Sequence, residues 1–274
     1  MNKRSTKIDE RIREIRLFLL DLDGTIYRGE EIVPGAAEFI AHLREKNIKY
    51  VFLTNNSSHS AAEYVTKLTR LAIPATLENV FTSGQATGIY LSQKKRGGRV
   101  FVLGTRALQK ELVSYCLVPS DGSGVVDFVA AGFDTELTYA KLQTACELVD
   151  RGTEYVATNP DFVCPVGGKR NIPDCGSICS MIEQATGKKP YVIGKPRPEM
   201  VEALCSKFTV SPKQTAVIGD RLYTDIAMGR NAGILSIGVL TGETKREDIE
   251  ISPIKPDFTF SSIDELNWFF RSER

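Results

Sequence analysis

Asp21-Leu22-Asp23-Gly24-Thr25 follows directly on Leu17-Phe18-Leu19-Leu20, an unbroken apolar run of strand length. Such a run, ending abruptly in charge, reads as a strand buried on both faces of a parallel α/β sheet. Three more polar tips follow runs of the same kind. Tyr50-Val51-Phe52 leads to Leu53-Thr54-Asn55-Asn56, and Tyr191-Val192-Ile193 leads to Gly194-Lys195-Pro196. Ala216-Val217-Ile218 leads to Gly219-Asp220, with Thr224-Asp225 just beyond. Ligands of parallel sheets bind at the carboxyl ends of the strands. If the four strands are neighbours, aspartates, a hydroxyl and an ammonium gather at one point, which suits a divalent cation and a phosphoryl group.

Each residue type answers a chemical need. An aspartate can attack phosphorus and hold it as an aspartyl-phosphate, dividing one hard hydrolysis into two displacements. Gly24 and Thr25 predict a turn that brings Asp23 round to the leaving oxygen, where it serves first as acid and then as base. Mg²⁺ prefers oxygen ligands, which suits Asp21 and Asp220. Thr54 offers a hydroxyl, and the amides opening the next helix, around Asn55 to Ser57, suit an anion. Lys195 offsets the carboxylates and the charge spread over the phosphoryl oxygens.

Taken together, these motifs resemble those of the haloacid dehalogenase (HAD) superfamily of aspartate-nucleophile phosphatases. DxDGT, the strand-end Thr, the Lys and GDxxxTD match its four motifs in order and span nearly the whole chain. DLDGTIY, LTNNS, ATNPD at Ala157 to Asp161, GKPRPEM and GDRLYTDI are similar to its NagD-like, p-nitrophenyl phosphatase subfamily (IIA). The resemblance implies an α/β fold with a Rossmann-like parallel-sheet core and an inserted α/β cap domain. It implies Asp21 as nucleophile, Asp23 as acid and base, and Thr54, Asn55 and Lys195 on phosphate. Asp21, Asp23 and Asp220 are the implied Mg²⁺ site, with Asp225 steadying the metal's waters. The implied activity is Mg²⁺-dependent hydrolysis of small phosphomonoesters such as sugar phosphates, nucleoside monophosphates or p-nitrophenyl phosphate.

Pattern along the chain places the domains. Tyr27 to Ile32 reads as a tight hairpin, Pro34 opens a helix to about Glu45, and a further helix runs from about Ser60 to Leu71. Strands at Arg99–Leu103, Asp127–Ala130 and Glu154–Ala157 alternate with helices, which makes residues 83–185 a second α/β layer, the cap. Residues 1–82 and 186–274 are then the core. Between Thr54 and Lys195 a cap must be hinged close to the phosphate. Its expected substrate-facing loop is Thr158-Asn159-Pro160-Asp161, with Asn159 and Asp161 on sugar hydroxyls. The nearby turn Gly167-Gly168-Lys169-Arg170 would then carry charge for a second anionic group.

Composition narrows the partners. A formal charge of +1 over 274 residues gives no reason to expect a nucleic acid polymer or an anionic membrane. No apolar run approaches a membrane span. Met1 to Arg16 is charged, lacks a signal-like hydrophobic stretch, and spaces Ile8, Ile12 and Ile15 as a helical lead-in, so a cytoplasmic enzyme is expected. The six cysteines include no CxxC pair, although Cys175 and Cys179 are spaced to share a helix face. They read as reduced, buried thiols. Caps of this type form dimer contacts in similar proteins, so a homodimer through the cap is a further expectation. The alternatives are a receiver-type phospho-accepting signalling domain, which has no acid two residues after its acceptor, and a phosphomutase built on the same Asp pair.

Overall fold

The computed structural model describes residues 10–166 and 170–271. In chain order the strands begin Leu17–Asp21 (β1), Tyr27–Arg28 (β2), Glu31–Ile32 (β3), Lys49–Thr54 (β4) and Val80–Thr82 (β5). Arg99–Leu103 (β6), Val118–Ser120 (β7), Phe128–Ala131 (β8), Glu154–Ala157 (β9) and Val163–Pro165 (β10) follow. Asn171–Pro173 (β11), Tyr191–Val192 (β12), Thr215–Gly219 (β13), Leu235–Val239 (β14) and Phe258–Phe260 (β15) complete the set. The chain divides into two compact units. Unit one comprises Met1–Leu53, Leu68–Asn79 and Pro196–Arg274, and unit two Thr54–Lys67 and Val80–Lys195.

Unit one is built on parallel strands in the order β15-β14-β13-β1-β4, and β5 completes that order beyond β4. Counted from β1, this is the doubly wound order 3-2-1-4-5-6, whose ligand crevice opens at the switch between first and fourth strands. Those strands are β1 and β13, paired from Leu17↔Thr215 to Leu20↔Ile218. The apolar run of β1 is buried completely. Each such side chain contributes about 2 kcal/mol of transfer free energy. Phe18 packs edge-on against Phe39 and Phe270, with ring centroids 5.8 and 5.7 Å away. Ile12 and Ile15 of the lead-in are buried too, whereas Ile8 lies outside the described residues.

Unit two carries its own parallel sheet, ordered β12-β9-β8-β6-β7. Its core is drawn from Leu103, Val129, Ala131, Ala157, Ile178 and Ile182. An antiparallel pair, β10 and β11, follows β9 in the chain. The turn at Gly167, Gly168 and Lys169 lies outside the described residues.

One expectation needs correction, and one boundary differs. The run Tyr191-Val192-Ile193 is not a strand of the β1 sheet. It forms β12, paired with β9 through Tyr191↔Val156 and Val192↔Ala157. An apolar run marks a buried strand without naming its sheet. Unit two is accordingly larger than residues 83–185, since it extends to Lys195 and takes in Thr54–Lys67.

Glu111 explains part of that second difference. This buried carboxylate accepts from the Ala61 amide at 3.0 Å and from the Thr82 hydroxyl at 2.7 Å. It thus sits at the amino ends of helices Ala61–Arg70 and Ser83–Lys94, where negative charge is favoured. Burial still pushes its pKa above the ordinary glutamate range, with the two hydrogen bonds opposing. A raised folded pKa gives stability that is present below the unfolded pKa and lost as pH rises through the folded one. Glu111→Gln should therefore gain in Tm relative to the parent protein as pH is raised from about 4. A Tm difference that stays constant with pH would refute this account.

Candidate active site

The tip of β1 turns sharply. The Leu22 carbonyl accepts from the amides of Thr25, Ile26 and Tyr27 at 2.9–3.3 Å, and the Gly24 amide donates to the Tyr27 carbonyl at 2.8 Å. Gly24 adopts φ +93°, which favours glycine. The turn carries Asp23 to Tyr27, whose hydroxyl donates to the Asp23 carboxylate at 3.4 Å.

Asp220 follows β13, and a π-helical turn spans Leu222–Ile226. The amides of Asp225 and Ile226 both donate to the Arg221 carbonyl, at 3.1 and 3.2 Å. This wide turn returns the Asp225 carboxylate to the Arg221 amide at 3.2 Å. Gly219 leaves the space it needs, because a Cβ there would meet the Asp225 side chain at 2.3 Å. π-turns of this kind recur at functional sites.

Asp21, Asp220 and Asp225 each offer one carboxylate oxygen within 4.8 Å of the others, and all three residues are buried. Burial, then the charges of Asp21 and Asp225, hold the Asp220 carboxyl well above the usual carboxylate range. Its Oδ2 accepts from the Glu243 amide at 2.6 Å, while its buried Oδ1 meets no partner among the described residues. Crowded, partly orphaned carboxylate oxygens are the donor set of a hard divalent cation. Asp23 lies outside this trio as a side chain, because the turn at Leu22 carries its carboxylate to Tyr27, and Asp225 lies within it.

One contributor escaped the sequence reading. Gly242 lies against Asp220 so closely that a Cβ would stand 1.8 Å from Oδ2. The neighbouring Thr241 hydroxyl donates to the Gly24 carbonyl at 2.6 Å, and the Thr244 amide donates to the Asp220 carbonyl at 3.2 Å. The one available signal was a Thr-Gly pair just beyond the apolar run Leu235–Val239.

In unit two, Thr54 closes β4 and its hydroxyl accepts from the Asn56 amide at 3.1 Å. Asn55 directs its side chain inward rather than toward a ligand. Its Nδ2 donates to the Asp161 carboxylate at 2.8 Å and to the Lys195 carbonyl at 3.0 Å, and its Oδ1 accepts from the Lys195 amide at 2.8 Å. Asn159 and Asp161 also differ from expectation. They are 0% and 2% exposed, and Asn159 Nδ2 donates to the Asn55 carbonyl at 2.8 Å. The tight Asn-Pro-Asp turn packs under the helix Cys175–Thr186, where a Cβ at Gly176 would meet the Pro160 carbonyl at 2.4 Å. Nδ2 of Asn159 and the carboxylate of Asp161 are thus engaged with the chain itself, while the buried Asn159 Oδ1 meets no partner among the described residues.

Residues 18–117 match the haloacid dehalogenase-like hydrolase family model, and residues 192–266 match the related HAD-hydrolase-like model. An acid sugar phosphatase of Staphylococcus saprophyticus is 35% identical over 93% of this chain and 98% of its own. The chain belongs to the haloacid dehalogenase-like hydrolases. Within them it falls in the NagD-like, p-nitrophenyl phosphatase branch and is a phosphatase. A 4-nitrophenylphosphatase from Thermotoga maritima superposes with TM-score 0.90 at 44% identity, covering 94% of this chain and 98% of that one. A glycerol phosphate phosphatase of Mycobacterium tuberculosis, solved with magnesium, superposes with TM-score 0.88 at 31% identity, over 93% of this chain and 78% of that one. No helix among the described residues is long and apolar enough to cross a membrane.

Because Gly242 has no room for a side chain, Gly242→Ala should displace Asp220 while leaving the strands intact. The expected result is a 10- to 100-fold rise in the divalent metal concentration needed for half-maximal activity, roughly the loss seen when a metal's outer support is removed. Unchanged metal dependence in a folded Gly242→Ala protein would contradict this role.

Proposed function

We propose that this phosphatase hydrolyses small phosphomonoesters through an aspartyl-phosphate on Asp21, with Mg²⁺ held by the carboxylates of Asp21 and Asp220 and supported by Asp225. The observation that carries the reading is the buried carboxylate trio at the switch point of the unit-one sheet. When bound, the cation supplies charge neutralisation for the phosphoryl oxygens and lets Asp21 approach an anionic ester. The magnesium complex of the glycerol phosphate phosphatase supports the choice of metal, although that protein has been solved with calcium as well.

In the first displacement an Asp21 oxygen forms a bond to phosphorus, and the bond to the ester oxygen breaks. Asp23 gives its proton to the departing alkoxide. In the second, water attacks phosphorus and passes a proton to Asp23. The bond to Asp21 breaks, phosphate leaves, and both aspartates are restored. The Tyr27 hydroxyl on Asp23 is suited to holding that carboxyl in place between the two steps. Thr54 and Lys195 are assigned to the phosphoryl oxygens. Both stand where the chain passes between units, Thr54 as the first residue of unit two and Lys195 as its last.

The names of the relatives span sugar, aryl and glycerol phosphates, which supports a small monoester without selecting one. A release assay over sugar phosphates, nucleoside monophosphates, glycerol phosphate and p-nitrophenyl phosphate, with and without Mg²⁺, tests the reading. Asp21→Asn should abolish turnover with the fold intact, and undiminished phosphate release from that variant would sink the mechanism. Asp23→Asn should slow the first step more for alkyl phosphates than for p-nitrophenyl phosphate, whose leaving group needs little protonation. Equal first-step losses in single-turnover measurements would remove Asp23 from the acid role.

A further inference from the structure

Asn55 is held on every side. Its side-chain amide exchanges two hydrogen bonds with the Lys195 backbone, one to the N–H and one from the C=O, as a neighbouring strand would. The remaining Nδ2 hydrogen goes to the Asp161 carboxylate at 2.8 Å. The Asn55 carbonyl accepts from Asn159 at 2.8 Å and from the Ser83 hydroxyl at 2.6 Å. Backbone packing leaves no slack. A Cβ at Gly194 would meet the Thr158 carbonyl at 2.4 Å and Asn55 Oδ1 at 2.6 Å.

Asn55 thus carries five hydrogen bonds while buried. Asn55 follows Thr54 directly and bonds to both the N–H and the C=O of Lys195, so it ties together two segments 140 residues apart. Removing a partner from such a network leaves buried polar groups unsatisfied, which costs more than the bond itself contributed.

We propose that Asp161, with Asn159 and Ser83, is a positioning residue that acts through Asn55 to fix the separation of Thr54 and Lys195, and so sets the affinity for the phosphoryl group common to all substrates. This rests on the assignment of Thr54 and Lys195 to phosphate. It gives the Asn-Pro-Asp turn a role in phosphate binding and none in choosing the organic part of the substrate.

The test uses the full chain with Mg²⁺, two substrates (glycerol phosphate and p-nitrophenyl phosphate) and inorganic phosphate as competitive inhibitor. Asp161→Ala should raise KM for both substrates and Ki for phosphate together, each by about tenfold. Asp161→Asn keeps an oxygen for Asn55 and should return all three to within about threefold of the parent. Ser83→Ala, a milder change expected to fold if Asp161→Ala does not, should raise the phosphate Ki by about threefold. An unchanged phosphate Ki in a folded Asp161→Ala or Ser83→Ala protein would overturn the proposal, leaving a structural role only. A KM change for one substrate and not the other would also overturn it, since Asp161 would then touch the organic group. Lys195→Met separates the premise from the inference. If it too leaves the phosphate Ki unchanged, the phosphate assignment itself fails. If it raises Ki while Asp161→Ala does not, only the positioning role is lost.

Discussion

Three buried carboxylates whose oxygens approach within 4.8 Å oppose folding, because like charges taken out of water repel without screening. Much of unit one's local structure is the accommodation of that repulsion. The apolar run of β1 anchors Asp21, and the π-turn after Asp220 returns Asp225. Gly24, Gly219 and Gly242 are each placed where a single methyl would collide with one of these aspartates. The result is poorly satisfied without a cation, as the orphaned Asp220 oxygen and its raised pKa both record. On the proposed reading, a cation bound there would offset that cost and stabilise the folded state.

The parts of this arrangement legible in the sequence were those with one-dimensional signatures. The β1 and β13 runs ended in charge, and the sheet order then placed their tips on either side of the switch point. Period and length could not assign Tyr191–Val192 to a sheet, since a buried strand looks the same in either. Side-chain direction was equally hidden. Asn159 and Asp161 lie in a polar, turn-forming tetrapeptide, the usual mark of a solvent loop, yet they are among the most buried polar residues of the chain. Partners distant in the chain explain why: the Asn55 carbonyl, 104 residues from Asn159, and the Asn55 side-chain amide, 106 residues from Asp161. Gly242 could not be read at all, because its reason is a distance to Asp220 and not a neighbour in the chain.

The cysteines follow the same division. Cys175 and Cys179 do share a helix face, with sulfurs 3.8 Å apart, and all six thiols are free. The expected burial holds for Cys175, Cys179 and Cys205, whereas Cys116 is exposed and Cys146 and Cys164 are half-buried. Burial pushes the Cys175 thiol up, while its hydrogen bond to Cys179 lowers that neighbour. Spacing alone placed the two residues side by side, and their burial was legible only in the structure.

Unit two repeats the doubly wound principle with a different occupant. Counted from β6, its strand order is 2-1-3-4-5, with the switch between β6 and β8. In such sheets the crevice at the carboxyl ends is where a ligand would sit. Here the chain's own segment after Thr54 fills it. Beyond β6, the Thr105 hydroxyl donates to the Ser58 carbonyl at 3.0 Å, and beyond β8, the Phe133 amide donates to the Ser57 hydroxyl at 3.0 Å. Beyond β9, Thr158 pairs with Ser57 at 2.9 Å and Asn159 takes the Asn55 carbonyl. A loop carrying prospective phosphate ligands is thus bound the way a cofactor would be, by the converging ends of three parallel strands. Unit two thereby holds the segment that follows Thr54 by the ends of its own strands.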